Sequence, residues 1–153
     1  MPGVMLNVPP RSARKPLEGL AQVVGELEMV AAHSLQEFRD GIYVRRAAER
    51  LIQLGVDLAC ELGACMLLGN AKGLKLDGYE ETFQSLGEKG FISAQLAEKL
   101  VSSAELRRRI VFACGNGQDD DLHRRLPFIA VLLKEYGRSV EKFLESPRSY
   151  EAR

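Results

Sequence analysis

From Leu17 onward the apolar residues recur at alternating steps of three and four, and nowhere do they alternate with period two for long enough to make a strand. A chain so patterned buries its apolar surface by packing helix on helix. Leu17, Leu20, Val24, Leu27, Ala31 and Leu35 form one stripe, which predicts a first helix ending near Asp40-Gly41. A second is expected from about Ile42 to Leu68, with Ala48, Leu51, Ile52, Gly55, Leu58, Ala59, Leu62 and Met66 on one broad face and Gly69-Asn70 as its stop. A short helix, about Tyr79 to Glu88, leads through Gly90-Phe91-Ile92 to Ser93, an N-cap for a fourth helix carrying Leu96, Leu100 and Ala104. After Gly115-Asn116-Gly117 the last helix starts around Asp119 to Asp121, whose carboxylates suit a helix N-terminus, and runs through Leu122, Leu126, Ile129, Leu133, Tyr136, Val140 and Leu144. The expected fold is all-α: an up-and-down bundle of four long helices and one short one.

The 153 residues suit one domain with a single core. Residues 1–16 hold four of the six prolines together with Arg11, Arg14 and Lys15 and show no apolar period, so they are read as a flexible basic arm. The bundle is then expected over 17–145, with a flexible tail at 146–153. No apolar run approaches the roughly 20 residues of a membrane-spanning helix. The N-terminus lacks the pattern of a signal peptide, which points to a cytoplasmic protein. Twenty-one basic residues cancel 21 acidic ones, against a protein that coats nucleic acid by overall charge. Cys60, Cys65 and Cys114 are an odd set without Cys-x-x-Cys spacing, and His33 and His123 lie far from them. No metal and no cofactor are expected, and Cys60 and Cys65 fit core positions. Gly69-Asn70-Ala71-Lys72-Gly73 lacks the spacing of a phosphate loop and follows a helix rather than a strand, so it reads as a plain loop.

Arg107, Arg108 and Arg109 are the residues hardest to place. On a helix they fan over about 200°, and Arg107 falls within the apolar stripe of Leu96 and Leu100. A buried guanidinium needs a partner, which leaves a carboxylate such as Asp57 or Glu49, a subunit interface, or an anion-binding cleft. Arg46, Glu49, Arg50, Gln53 and Asp57 form a polar strip on the second helix. It is either a solvated, ion-paired face or the lining of a groove opposite Arg107.

Tyr43 to Gln53 resembles the second helix of HepT-like proteins of the HEPN superfamily, ribonuclease toxins paired with small nucleotidyltransferase antitoxins. So do Tyr79-Glu80-Glu81-Thr82-Phe83 with Leu86 and Gly90-Phe91-Ile92-Ser93, then Leu96 to Leu100 and the Arg107 block, in the same order and at similar spacing. The family signature is Arg-Asn-x-x-x-His-x-Tyr followed by an acidic turn. Here Arg107 matches the arginine, Arg108 replaces asparagine, Phe112 replaces histidine, Cys114 replaces tyrosine, and Asp119-Asp120 match the turn. The resemblance implies an arginine that holds the scissile phosphate and a histidine that moves protons in metal-free cleavage at the 2′-hydroxyl, with two motifs meeting across a homodimer.

Phe112 has no titratable group, and general acid–base catalysis is commonly worth about 10² to 10⁴ in rate. Cleavage should therefore be weak or absent. Cys114 also lacks the phenol that the family's antitoxin modifies with AMP. His123 and His33 are the candidates to replace the missing proton carrier, and Cys114, with its thiolate favoured by the neighbouring arginines, is a candidate nucleophile or redox-sensitive site. The leading expectation is a HepT-like member of a toxin–antitoxin pair, a homodimer through the face containing Arg107, which binds RNA or its nucleotidyltransferase partner. Arg107, Arg108 and Arg109, with Arg46 and Arg50, would form the anion site. The alternatives are a non-catalytic dimeric interaction module with its arginines neutralised internally by Glu49, Asp57 and the acidic turn, and a still-active endoribonuclease with a substituted proton donor.

Overall fold

The computed structural model describes residues 10–68, 78–113 and 119–145. Those residues form an all-α bundle: α1 Pro10–Ala31, α2 Leu35–Asp40, α3 Ile42–Leu68, α4 Tyr79–Glu88, α5 Ala94–Ala113 and α6 Asp119–Glu145. Four are long and two short. No strand occurs among the described residues.

The central element is α3, which packs against all five other helices. Ala48, Ile52, Val56, Ala59 and Leu62 are fully buried along it, at the three- and four-residue steps of one helical face. Leu27 of α1, Phe83 and Leu86 of α4, Leu100 of α5 and Leu126, Leu133 and Tyr136 of α6 close around that face. Full burial of such a side chain contributes about 1.5–3 kcal/mol relative to exposure, so this layer dominates the stability of the bundle. Among the described residues no buried side-chain nitrogen or oxygen lacks a hydrogen-bond partner.

A helix in the middle of a bundle must offer places where neighbours come close, and Gly63 is one. The buried hydroxyl of Tyr136 donates to the carbonyl of Ala59 at 2.9 Å. A Cβ on Gly63 would stand 3.2 Å from that hydroxyl, 3.1 Å from Thr82 Cγ2 and 2.8 Å from Leu86 Cδ1. Glycine thus admits α4 and α6 to the same point on α3. At the end of α4, Gly90 takes a φ of 76°. That left-handed residue lets the Phe91 N–H reach back to the Leu86 carbonyl at 2.9 Å, and the chain turns into α5. Ser93 caps α5 as expected, its Oγ accepting from Leu96 N at 3.1 Å.

Two sequence expectations are corrected. The first helix does not run unbroken to Asp40: it stops at Ala31, and Ser34 starts α2 by accepting from Glu37 N at 3.1 Å. That side-chain cap competes with continued helix. Residues 10–16, expected in the basic arm, are helical instead, because α1 already begins at Pro10. Proline lacks the N–H that a first helical residue leaves unused, Ala13 and Pro16 are buried, and Arg14 pairs with Glu18. Residues 1–9, the tail at 146–153 and the Gly69 to Gly73 loop lie outside the described residues. Cys65 is buried and Cys60 half-buried, as core packing requires.

Replacing Gly63 with valine should lower stability by about 2–3 kcal/mol in urea unfolding, because three neighbours must move and the Tyr136 bond is disturbed. A melt unchanged from the parent would contradict the close approach.

Candidate functional site

Helices α3, α4 and α5 meet around Asp57. Arg107 of α5 donates from Nε to Asp57 Oδ1 at 2.6 Å, and Tyr79 at the start of α4 donates its hydroxyl to the same oxygen at 2.7 Å. The guanidinium also lies over the Tyr79 ring, 4.4 Å from Cζ to the centroid. The Arg107 side chain is 18% exposed, so its position in the apolar stripe is real, and the internal carboxylate is what makes it tolerable. Of the two candidate acids, Asp57 takes Arg107, while Glu49 pairs with Arg46 at 2.8 Å on α3 itself.

This arrangement perturbs the phenol. Partial burial, then the hydrogen bond to Asp57 and its negative charge, push Tyr79 up to about 12. The folded value exceeds the ordinary one of about 10, so the contribution to stability is complete below pH 10 and is lost as pH rises through about 12.

Beside the cluster opens a cavity of about 320 Å³, with Gly78, Tyr79, Glu80 and Glu81 on one wall and Ala104, Arg107, Arg108 and Phe112 on the other. Arg108 Nη1 lies 3.0 Å from Glu80 Oε1. Arg107 and Arg108 face Asp57, Glu80 and Glu81, two positive charges against three negative, for a local charge of −1. That sign disfavours a phosphate. Phe112 sits at the rim, 79% exposed, and brings no proton carrier.

The other sequence candidates lie elsewhere. Arg109 points about 200° away from Arg107 around α5 and does not line the cavity, nor do Arg46 and Arg50. Arg50 is exposed on α3. Asp120 of the acidic turn bonds Arg39 of α2 through both carboxylate oxygens, at 2.9 and 2.5 Å, and that bond holds it below the usual carboxylate range. The turn therefore ties α6 to α2. His123 Nε2 lies 2.7 Å from the His33 carbonyl, with its ring on Phe38 at 5.4 Å, and His33 Nδ1 lies 3.1 Å from the Val30 carbonyl. Neither histidine lines the cavity. Cys114 lies outside the described residues. Tyr79, Glu80 and Glu81 are the charged or polar site residues that the sequence analysis did not name as candidates for the site.

A model of the ribonuclease HepT-like family matches residues 20–116, which take in α1 from Leu20 through the end of α5 and include Arg107 and Phe112. The chain belongs to the HepT-like ribonuclease family. No curated protein sequence matches it. In this HepT-like scaffold the arginine that matches the family signature finds its carboxylate within its own chain, so no second copy is needed to satisfy it. Among the described residues no group of three or more His, Cys, Asp or Glu side chains could hold a metal ion, and no helix is long and apolar enough to cross a membrane.

Changing Asp57 to asparagine should bring the ionisation of Tyr79 down from about 12 toward the ordinary tyrosine value, followed by NMR of ring-labelled tyrosine across alkaline pH. A midpoint that stays in place would mean that Asp57 does not set it.

Proposed function

We propose that this HepT-like chain serves in a toxin–antitoxin pair as a ribonuclease scaffold that binds and does not cleave. The observation that carries the proposal is the composition of the cavity beside Arg107. The histidine of the family signature is replaced by Phe112, and Arg107 is committed to Asp57. A cleaving site needs a proton carrier at the 2′-hydroxyl and a cation free to meet the phosphate. Phe112 supplies neither, and Tyr79, which lines the same cavity, is pushed up to about 12. That makes it a poor base at neutral pH.

The ion pairs Arg107–Asp57, Arg108–Glu80 and Arg46–Glu49 favour the interaction-module reading over an RNA-phosphate site, since three of the five candidate arginines already face a carboxylate. Binding is therefore directed to a protein, and a small nucleotidyltransferase antitoxin is the partner that the family implies.

The test is cleavage of a labelled transfer RNA pool in EDTA by the unaltered chain, by Phe112→His, by Phe112→His with Asp57→Asn, and by Arg107→Ala as control. The unaltered protein should leave the pool intact, and restoring the histidine should raise cleavage by about 10² or more, at least as strongly when Asp57 no longer holds the arginine. Cutting by the unaltered chain that is abolished in Arg107→Ala would show the reading to be wrong.

A further inference from the structure

The contact between α5 and α6 is the thinnest of any two helices that touch, and it leaves a cavity of about 420 Å³. Its floor is apolar, formed by Leu106 and Leu132. The two largest exposed apolar side chains of α6 stand at its edge, Phe128 at 73% and Val131 at 64% exposure. Ser103, buried in the wall, donates its hydroxyl to the Leu100 carbonyl at 2.6 Å and needs no partner from an occupant. A slot of this size falls at the lower end of small-molecule sites, which run from about 300 to 1,000 Å³.

Two opposite charges line this cavity from opposite walls, Lys99 on α5 and Glu135 on α6. Neither enters an ion pair among the described residues. The groove between α1 and α6 shows the contrast, for there Lys134 reaches across to Glu28 at 3.5 Å. The remaining charge of the α5–α6 cavity, Arg125, is held by Asp121 at 3.2 Å along its own helix. The cavity therefore offers one cation and one anion on facing walls, with an apolar slot between the same two helices. A ligand of single charge would meet one attractive group and one repulsive one. A zwitterion meets two attractive ones, provided that its charges lie close together and an apolar group leads away from them. A free α-amino acid with an apolar side chain has that form, with carboxylate, ammonium and side chain on one carbon.

We propose that the α5–α6 cavity binds a free apolar α-amino acid. The Lys99 ammonium donates to its carboxylate, its ammonium donates to the Glu135 carboxylate, and its side chain lies on Leu106 and Leu132 against Phe128 and Val131. The site is separate from the cavity beside Arg107 and does not depend on the reading of that cavity. The two charges fix the ligand's common end, and the apolar wall selects its side chain. Both charged side chains are exposed, so water screens them and binding is loose.

Calorimetric titration of the full chain with L-phenylalanine, its N-acetyl form, its amide and glycine tests this. L-Phenylalanine should bind at millimolar concentration. The N-acetyl form lacks the ammonium, the amide lacks the carboxylate and glycine lacks the side chain, and each should bind about tenfold more weakly. Glu135→Gln should weaken L-phenylalanine by about tenfold and remove its advantage over the N-acetyl form, while Lys99→Met should do the same relative to the amide. Circular dichroism should be unchanged in both variants, since both side chains are exposed. No binding at millimolar ligand overturns the proposal. So does equal binding of L-phenylalanine and its two blocked forms, which would mark an apolar slot alone, or binding indifferent to both substitutions, which would put the amino acid elsewhere.

Discussion

One carboxylate oxygen on the central helix accepts two hydrogen bonds from two other helices, and both the packing and the chemistry of this protein follow from it. Asp57 on α3 receives Tyr79 from α4 and Arg107 from α5. Without it, an arginine in the apolar stripe of α5 would be an unpaired charge next to the core, which α5 could relieve only by rotating or moving away from α3. With it, the arginine becomes a clasp: the charge is neutralised, the guanidinium lies on a tyrosine ring, and three helices are held at one level.

That clasp gives Arg107 a structural role in the scaffold. The arginine of a ribonuclease motif has two uses, as a cation for phosphate and as a charge that the fold must balance internally. In this chain the second use is visible at the site, and Arg108 follows the same course with Glu80. Phe112 stands at the exposed rim, 79% exposed, and adds little to the packing. Arg107, which holds three helices together, and Phe112, at the rim, thus differ sharply in burial.

Much of the fold was legible because it rests on helical periodicity. The bounds of α3 and α4 follow from apolar spacing and glycine stops, and the start of α5 from the Ser93 cap. The break between α1 and α2 was carried by Ser34 and Glu37, a Ser-x-x-Glu cap signature, but the apolar step from Ala31 to Leu35 masked it. The prolines of the N-terminal segment suggested disorder, although Pro10 occupies the one helical position that suits proline and Pro16 is buried against the bundle. At the site, spacing alone put Arg107 in the stripe and offered Asp57 or Glu49 as partner. Choosing between them depends on how far α5 is rotated about its axis against α3, a tertiary quantity that no local pattern encodes. Tyr79 was missed for the same reason, since its place beneath the guanidinium comes from how α4 docks and not from its own sequence.

The most direct measurement of the central claim is the Nε–H signal of Arg107 in a nitrogen-15 NMR spectrum, followed while a short single-stranded RNA is added. A donor committed to Asp57 at 2.6 Å should exchange slowly with water and keep its position through the titration. A signal that exchanges as fast as that of the exposed Arg50, and that shifts as RNA is added, would contradict the account and return the arginine to the phosphate.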